Sequence, residues 1–289
     1  MYSVVLDDGR TIEASLRGRL KQRGSPVVIG DRVTVAEGSE AAWTIESVEP
    51  RASELVRRGK GGRAPKVLAA NLDRVFAVFA LVDPPATPEL IDRLLVMIEA
   101  SGVHPLLVLN KIDLDGAVAT ARTLADLYGR IGYQTFAVSA RSGEGLEVLR
   151  GILCEGTSAL IGPSGVGKSS LLNALDPSLA LRTGELSGKT GTGRHTTVSS
   201  RLIGLDCGGT VADTPGFSEV ALWGVAPGEV AACFPELAEP AEQCRFRSCT
   251  HVHEPDCGVR EALEEGRIDE SRYRSYAKLR AEAVEAAER

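Results

Sequence analysis

The segment Gly162-Pro-Ser-Gly-Val-Gly-Lys168-Ser169 decides the fold of this 289-residue chain. It matches the pattern G-x-x-x-x-G-K-[ST], in which backbone N–H groups wrap phosphate oxygens and the lysine reaches the β- and γ-phosphates. An apolar run precedes the segment and a helical pattern follows it, so the loop joins a strand to a helix. The sequence therefore predicts an α/β nucleotide-binding domain, in which the contacting residues are Gly162, Pro163, Ser164, Gly165, Val166, Gly167, Lys168, Ser169 and Ser170.

Strands and helices also alternate on both sides of this loop. The β-rich run Val75–Val82 is typical of a strand buried on both faces of a sheet. The alternation predicts a parallel sheet covered by helices. The predicted strands are 75–82, 105–109, 134–138, 157–161 and two around Ile203 and Val211, and the predicted helices are 88–100, 116–130, 145–153 and 167–175.

Two further segments indicate which base the domain binds. Asn110-Lys111-Ile112-Asp113 ends one predicted strand, and Ser139-Ala140 ends the next. An Asp carboxylate can accept two hydrogen bonds from guanine N1–H and the exocyclic amine, a pair that adenine does not offer. The stem of Lys111 can cover the base, and a backbone N–H at Ser139-Ala140 can meet the guanine carbonyl. These residues predict a guanine site.

The segment Asp213-Thr-Pro-Gly216 ends a later strand and predicts the γ-phosphate side of the site. Its carboxylate can hold Mg²⁺ through water, and Gly216 can turn its N–H to the γ-phosphate. Residues 182–200 are rich in Gly, Ser and Thr, and a threonine of this loop can cap Mg²⁺ when the γ-phosphate is present. Thr196 and Thr197 both qualify, and we favour Thr197. The predicted magnesium ligands are Ser169, Thr197 and Asp213.

The order of these motifs is permuted. In ordinary GTPases the phosphate loop comes first and the guanine-reading motif last, whereas here the guanine-reading segments precede Gly162. A parallel sheet permits this order because every motif still lies at the carboxyl end of a strand, where ligands bind.

A cluster of thiols and one imidazole follows the α/β region. Cys244, Cys249, His251 and Cys257 fall within 14 residues and predict a closed, structural Zn²⁺ site. His253 competes with His251 for the fourth position. The other cysteines, Cys154, Cys207 and Cys233, are scattered and are interpreted as separate core residues.

The N-terminal 50 residues are short alternating stretches punctuated by glycines, which predicts a small antiparallel β domain. A strand is predicted from Thr11 to Leu20. This strand and the residues that continue it carry four cations, one at every second position. This face is either a nucleic-acid contact or a solvated outer surface. The four cations are Arg17, Arg19, Lys21 and Arg23.

Charge supports a local interface for a polyanion. Residues 1–74 hold 13 Lys and Arg against 10 Asp and Glu, although the whole chain has a net charge of −6. Residues 57–66 carry five cations and no acid, and predict a flexible basic linker. No apolar run approaches 18 residues and the N-terminus lacks a signal pattern, so we expect a cytoplasmic protein with no membrane partner.

These motifs, together with Gly193-Arg-His-Thr-Thr197, Asp213-Thr-Pro-Gly-Phe217 and the segment from Cys244 to Tyr276, resemble the RsgA (YjeQ/YloQ) family of circularly permuted GTPases. The resemblance implies a multidomain α/β protein. Its expected parts are an oligonucleotide-binding (OB) β-barrel with the basic linker (1–64), a permuted GTPase domain (65–224) and a helical zinc-binding domain (225–289).

The resemblance also implies an activity. GTP would be hydrolysed to GDP and phosphate when the 30S subunit and its 16S rRNA stimulate the enzyme, and the protein would assist late subunit maturation. Phe217 stands where many GTPases have a water-positioning glutamine, so His195 is the candidate for that role. A nucleotide-gated RNA-binding module with incidental hydrolysis is the alternative. The length and three-part layout are compatible with a monomer.

Overall fold

The computed structural model describes residues 1–18, 20, 26–38, 42–57, 66–179, 201–213 and 225–288, and it describes only the backbone of Arg57, Arg201 and Asp213. The strands of these ranges are β1 (Tyr2–Val5), β2 (Thr11–Leu16), β3 (Val33–Glu37), β4 (Trp43–Val48), β5 (Glu54–Arg57), β6 (Lys66–Ala70), β7 (Arg74–Ala80), β8 (Pro105–Asn110), β9 (Thr135–Val138), β10 (Thr157–Ile161), β11 (Arg201–Gly204) and β12 (Thr210–Asp213). The α-helices are α1 (Pro88–Glu99), α2 (Ala117–Ile131), α3 (Leu146–Leu153), α4 (Lys168–Leu175), α5 (Ala238–Ala241), α6 (Gly258–Glu264) and α7 (Glu270–Glu288).

The N-terminal domain contains a four-stranded sheet in the order β1-β2-β4-β3. Side chains alternate between its faces, and Ala14 and Ile45 are fully buried on the inner one. The predicted β-sheet is therefore present, but the prediction that it is antiparallel is wrong for β2 and β4, which are parallel. The predicted strand to Leu20 is also wrong beyond Leu16. There the chain turns, and the Leu20 N–H donates to the Arg17 carbonyl at 2.9 Å. The alternation of apolar and charged residues could not indicate this turn, because the same alternation also occurs in segments that turn.

Strands β5 and β6 form a two-stranded antiparallel sheet that sequence analysis did not predict. Arg57 pairs with Lys66 and Glu54 with Ala70, so both ends of the basic segment belong to a hairpin. Residues 58–65 lie outside the described ranges. The hairpin is short and begins with a charged residue, so the sequence pattern did not indicate its strands.

The central sheet has the order β11-β12-β10-β7-β8-β9, and all its strands except β11 are parallel to their neighbours. β7 lies in the middle, where Val75 to Ala80 are at most 1% exposed. Helices that bury apolar stripes cover the sheet, and the predicted parallel α/β architecture is confirmed. The carboxyl ends of β7, β8, β9, β10 and β12 meet at one edge, which we call the ligand edge.

The C-terminal helices pack on the α/β region rather than forming an isolated unit. α7 lies against α1, and one apolar core includes Leu279 and Tyr276 of α7 together with Ile91 and Leu95 of α1. None of the helices in the described ranges combines the length and apolar character needed to cross a bilayer.

A disulfide between Cys154 and Cys207 corrects the interpretation of these two residues as separate core cysteines. Cys154 follows α3, and Cys207 is exposed in the turn between β11 and β12. Gly209 lets this turn approach α3, because a Cβ at Gly209 would lie 1.9 Å from the Leu153 carbonyl oxygen. The partners are 53 residues apart, so spacing alone did not indicate the bond.

Candidate nucleotide-binding site and metal centre

The phosphate loop connects β10 to α4 at the ligand edge, as the motif predicts. Two of its glycines are required by close contacts. A Cβ at Gly162 would lie 2.0 Å from the Val78 carbonyl oxygen. Gly167 has φ +95°, and a Cβ there would lie 2.5 Å from Nδ2 of Asn110. The glycines therefore allow the loop to fit tightly against β7 and β8.

Lys168 begins α4 and is almost fully buried. Its ammonium donates to the carbonyl oxygens of Gly162 and Pro163, both at 2.8 Å. Burial lowers the pKa of Lys168 to about 8. A cation held by two neutral oxygens at a helix N-terminus is well placed to exchange them for phosphate oxygens, which would restore its charge compensation.

Asn110 joins the phosphate loop to the predicted base-reading segments. Its Nδ2 donates to the Val166 carbonyl at 2.8 Å, and its Oδ1 accepts from the Ala140 N–H at 3.1 Å. The residue is 1% exposed, so both bonds lie away from water. One buried amide therefore fixes the distance between three loops that come from β8, β9 and β10.

Asp113 and Ser139 are in direct contact. The Ser139 hydroxyl donates to Oδ1 of Asp113 at 2.6 Å and itself accepts the backbone N–H groups of Arg141 and Ser142. Asp113 is exposed, so the other side of its carboxylate is accessible to a base. This hydroxyl orients the carboxylate that the sequence assigned to guanine recognition.

Lys111 has φ +68°, and its ammonium donates to the carbonyl oxygen of Asp83. That oxygen belongs to the segment between β7 and α1, which sequence analysis did not include in the site. The Val166 carbonyl was also missed as a partner of Asn110. Backbone oxygens carry no residue signature, so only the fold reveals these contacts.

The predicted magnesium ligands are only partly described. Ser169 is the second residue of α4 and is buried, and Asp213 ends β12, which pairs with β10. A serine hydroxyl and an aspartate carboxylate are oxygen ligands that Mg²⁺ prefers, so these residue types fit the ion. The predicted residues Thr197, His195 and Gly216, with Thr196 and Phe217, lie outside the described residues.

The four predicted zinc ligands come together. Their ligand atoms all lie within 4.8 Å of one another, with Sγ of Cys244 3.8 Å from Sγ of Cys257. Nδ1 of His251 is 3.4 Å from Cys244 Sγ and 3.5 Å from Cys257 Sγ. A tetrahedral Zn²⁺ with Zn–S distances of about 2.3 Å places its sulfurs about 3.8 Å apart. The cluster, which also includes Cys249, is thus compatible with zinc.

Surrounding groups hold this cluster in shape. His251 has φ +58°, and its carbonyl accepts from the Tyr273 hydroxyl at 2.7 Å. The Tyr276 hydroxyl donates to the Thr250 carbonyl at 2.6 Å. Both tyrosines belong to α7, so this helix supports the backbone of the metal loop.

The competing residues lie elsewhere. The side chain of His253 is 79% exposed and outside the cluster, so the geometry favours His251. Cys233 is a free buried thiol, as predicted, and burial raises its pKa to about 11.

The proposed RNA-contacting face is described only at Arg17. This residue is exposed just after β2 and forms an ion pair with Glu46. Arg19, Lys21 and Arg23 lie outside the described residues. The prediction of one strand that places the four cations on a common face is wrong, because the strand ends at Leu16 and the chain turns after Arg17. Their contact with RNA remains a prediction.

Comparison with known proteins shows which family the chain is similar to. The model of the RsgA GTPase family matches residues 48–223. The chain is 46% identical to the small ribosomal subunit biogenesis GTPase RsgA of Gemmatimonas aurantiaca, over 98% of this chain and 94% of the relative. It is 42% identical to the protein of the same name in Moorella thermoacetica, with the same coverage.

Solved structures agree with the fold. YjeQ from Thermotoga maritima has a TM-score of 0.79 at 34% identity and covers 96% of this chain and 92% of its own. YloQ, described as a circularly permuted GTPase, has a TM-score of 0.77 at 29% identity and covers 98% of this chain and 91% of its own. Both the predicted resemblance and the predicted fold class are confirmed by these matches.

Proposed function

The chain belongs to the RsgA GTPase family, and from that premise we infer that it hydrolyses GTP to GDP and phosphate in the biogenesis of the small ribosomal subunit. The observation that carries this conclusion is the Asn110 amide, which joins the phosphate loop to the base-reading segments at the ligand edge. A site built in this way binds the phosphates and the base of one nucleotide together.

We propose that the base is recognised from β8 and β9. The carboxylate of Asp113 accepts the guanine N1–H and amine, and Lys111 covers the base while its ammonium is held by the Asp83 carbonyl. The Ala140 N–H, which donates to Oδ1 of Asn110 in this structure, would share its hydrogen with the guanine oxygen when the base is bound. The Ser139 hydroxyl keeps the Asp113 carboxylate in one orientation, which lowers the entropy cost of binding.

The phosphates would lie on the loop from Gly162 to Ser170, with Lys168 at the β- and γ-phosphates. GTPase chemistry implies Mg²⁺, and we propose that Ser169, Thr197 and Asp213 hold it, with Gly216 donating to the γ-phosphate. The ion supplies charge neutralisation on the phosphate oxygens. The protein residues position the phosphates and hold the nucleophilic water in line.

We propose His195 as the group that orients this water. Phe217 offers no hydrogen bond, so a polar side chain must come from another part of the chain. In a stimulated GTPase, docking on the partner would place this residue beside the water.

The Cys3His cluster is proposed to bind one structural Zn²⁺ through Cys244, Cys249, His251 and Cys257. All four protein ligands are present, so no position is left open for chemistry. The ion would stabilise the C-terminal module (residues 225–289). The backbone carbonyl oxygens of its metal loop already accept hydrogen bonds from two tyrosine hydroxyls of α7.

The ribosomal partner is proposed from the names of the relatives, which are small ribosomal subunit biogenesis GTPases. We propose that the chain acts as a monomer in the cytoplasm, and that it contacts 16S rRNA of the 30S subunit through Arg17, Arg19, Lys21 and Arg23. Cations that neutralise phosphates release counterions, so binding should weaken with salt.

The test measures GTP turnover with and without purified 30S subunits, beside a sedimentation assay for 30S binding. We expect stimulation in the wild type. Arg17→Glu/Arg19→Glu should weaken 30S binding with unchanged GTP affinity. His195→Ala should keep 30S binding and lose stimulated turnover. Turnover that 30S subunits leave unchanged would instead favour the nucleotide-gated RNA-binding module.

A further inference from the structure

A buried arginine joins the C-terminal module to the GTPase domain. The Arg272 side chain of α7 is 1% exposed, and its Nη1 lies 2.6 Å from Oδ1 of Asp92 on α1. Its Nε and Nη2 donate to the two carboxylate oxygens of Glu236, at 2.6 and 3.1 Å. The guanidinium also lies 4.5 Å from the ring centroid of Phe234. One cation therefore holds two acids that are 144 residues apart in sequence.

Asp92 has a second partner on the GTPase side. The Tyr128 hydroxyl of α2 lies 2.6 Å from Oδ1 of Asp92 and 3.3 Å from the Pro88 carbonyl oxygen. Pro88 is the first residue of α1. The position of the first turns of α1 is thus fixed by α2 on one side and by Arg272 on the other.

The segment just before α1 contacts the nucleotide site at Lys111 and lies beside the phosphate loop at Gly165. We call residues 81–87 the base-side segment. Its Asp83 carbonyl accepts the Lys111 ammonium, and Pro84 Cδ lies 3.7 Å from the position that a Cβ on Gly165 would take. The segment ends at Thr87, whose hydroxyl accepts the Leu90 N–H and caps α1. A shift of α1 would therefore move the oxygen that holds the base-reading lysine, together with a proline that lies beside the phosphate loop.

From this path we propose that Arg272 is a positioning residue for the guanine-nucleotide site. By holding α1 through Asp92, it keeps the base-side segment in contact with Lys111 and close to Gly165. The seating of the C-terminal module, that is, its packing against α1, and the affinity for guanine nucleotides are then coupled. Such coupling is reciprocal, so bound nucleotide also stabilises the seating of the module. This inference rests on the proposed function, because it assigns a role within the same nucleotide site.

The test uses the full-length, zinc-loaded protein and measures the dissociation rate of a fluorescent GDP analogue by rapid mixing. Arg272→Met should raise this rate about fivefold or more, as coupling free energies of ordinary size predict. Arg272→Lys keeps the charge and should show a smaller increase. Arg274→Met is the matched control, since Arg274 lies on the same helix in an exposed ion pair with Glu270.

A second variant addresses the possibility that Arg272→Met does not fold. Tyr128→Phe removes only the hydroxyl that ties α2 to Asp92 and Pro88, and it should also raise the GDP dissociation rate. In both variants KM for GTP should rise while kcat at saturating GTP stays unchanged, because positioning of the base affects binding alone. Bound zinc, measured by metal analysis, should stay at the wild-type level.

Two results would overturn the inference. If folded Tyr128→Phe and Arg272→Lys release GDP at the wild-type rate, the cluster only stabilises the domain contact. If Arg272→Met is less stable to urea but releases GDP as the wild type does, the role is structural. A wild-type protein that fails to bind GDP would contradict the proposed function instead.

Discussion

Gly167→Ala tests how the phosphate loop and the base-reading loops are held together. Gly167 has φ +95°, and the added Cβ would lie 2.5 Å from Nδ2 of Asn110. Real Cβ atoms do not approach other atoms this closely, so the buried amide must move. Its bonds to the Val166 carbonyl and the Ala140 N–H would then stretch or break.

Two terms set the size of the effect. An alanine in the left-handed region costs about 1–2 kcal/mol of backbone free energy. Each of the two hydrogen bonds is worth about 0.5–1.5 kcal/mol, or about 1–3 kcal/mol together. Since 1.4 kcal/mol corresponds to about tenfold in Kd, losing both bonds should weaken GDP binding by about 5- to 150-fold.

Fluorescent GDP titration measures this loss, and Gly132→Ala is the matched control. Gly132 has φ +105° but no atom within 4 Å of an added Cβ, so it reports the backbone cost alone. Gly132→Ala should therefore be less stable to urea by a similar backbone term while binding GDP normally. In the background of Asn110→Ala, adding Gly167→Ala should cost much less affinity than it does in the wild type.

The reasoning would be refuted by one clear result. If folded Gly167→Ala binds GDP within about twofold of the wild type, the Asn110 amide does not need the space that glycine provides. Additive losses in the double variant would show that the two residues act independently.

Three other predictions concern the charge, the base and the metal. From neutral pH upward, GDP affinity should begin to fall near pH 8, by up to about tenfold per unit, because the pKa of nucleotide-free Lys168 is lowered to about 8 and phosphate binding then requires proton uptake. Guanosine, which lacks phosphates, should show no such fall in a parallel titration over the range in which the guanine N1–H stays protonated. Asp113→Asn should lose about 1–3 kcal/mol of GDP affinity, because the asparagine amide places a donor opposite the guanine donors, and it should bind xanthosine nucleotides better. Competition binding checks this, with the exposed Asp115→Asn as the control, and an unchanged preference for guanine would contradict the assignment. Cys249→Ser should lose zinc and expose residues 225–289 to protease, whereas the control Cys233→Ser should keep its zinc. Metal analysis and limited proteolysis measure both effects. Wild-type protein that binds no zinc under reducing conditions would count against the site.

The sequence predicted the parts of the fold that depend on local pattern. The run Val75–Val82 indicated a buried strand because its apolar residues are contiguous, and β7 occupies the centre of the sheet. The loop from Gly162 to Ser169 was recognisable because its chemistry requires glycines and a lysine at fixed spacing. The cluster from Cys244 to Cys257 was recognisable because its ligands are close in sequence.

Features that depend on distant partners were missed. The ion pair of Arg272 with Asp92 joins residues 180 positions apart, and nothing in either local segment indicates it. Leu20 was placed in a strand because alternation continues to it, although a hydrogen bond to Arg17 turns the chain. The Asp83 carbonyl carries no residue signature. These contacts are set by how elements pack, which a single sequence does not display.

The disulfide between Cys154 and Cys207 closes a covalent ring that contains the phosphate loop and α4. A single peptide-bond cleavage anywhere inside that ring leaves the chain in one piece, because the two fragments stay attached through sulfur. The ring also contains residues 180–200, where the Mg²⁺-capping threonine is proposed. A nicked, oxidised protein would therefore keep both halves of its nucleotide site on one molecule, and only a reductant would separate them.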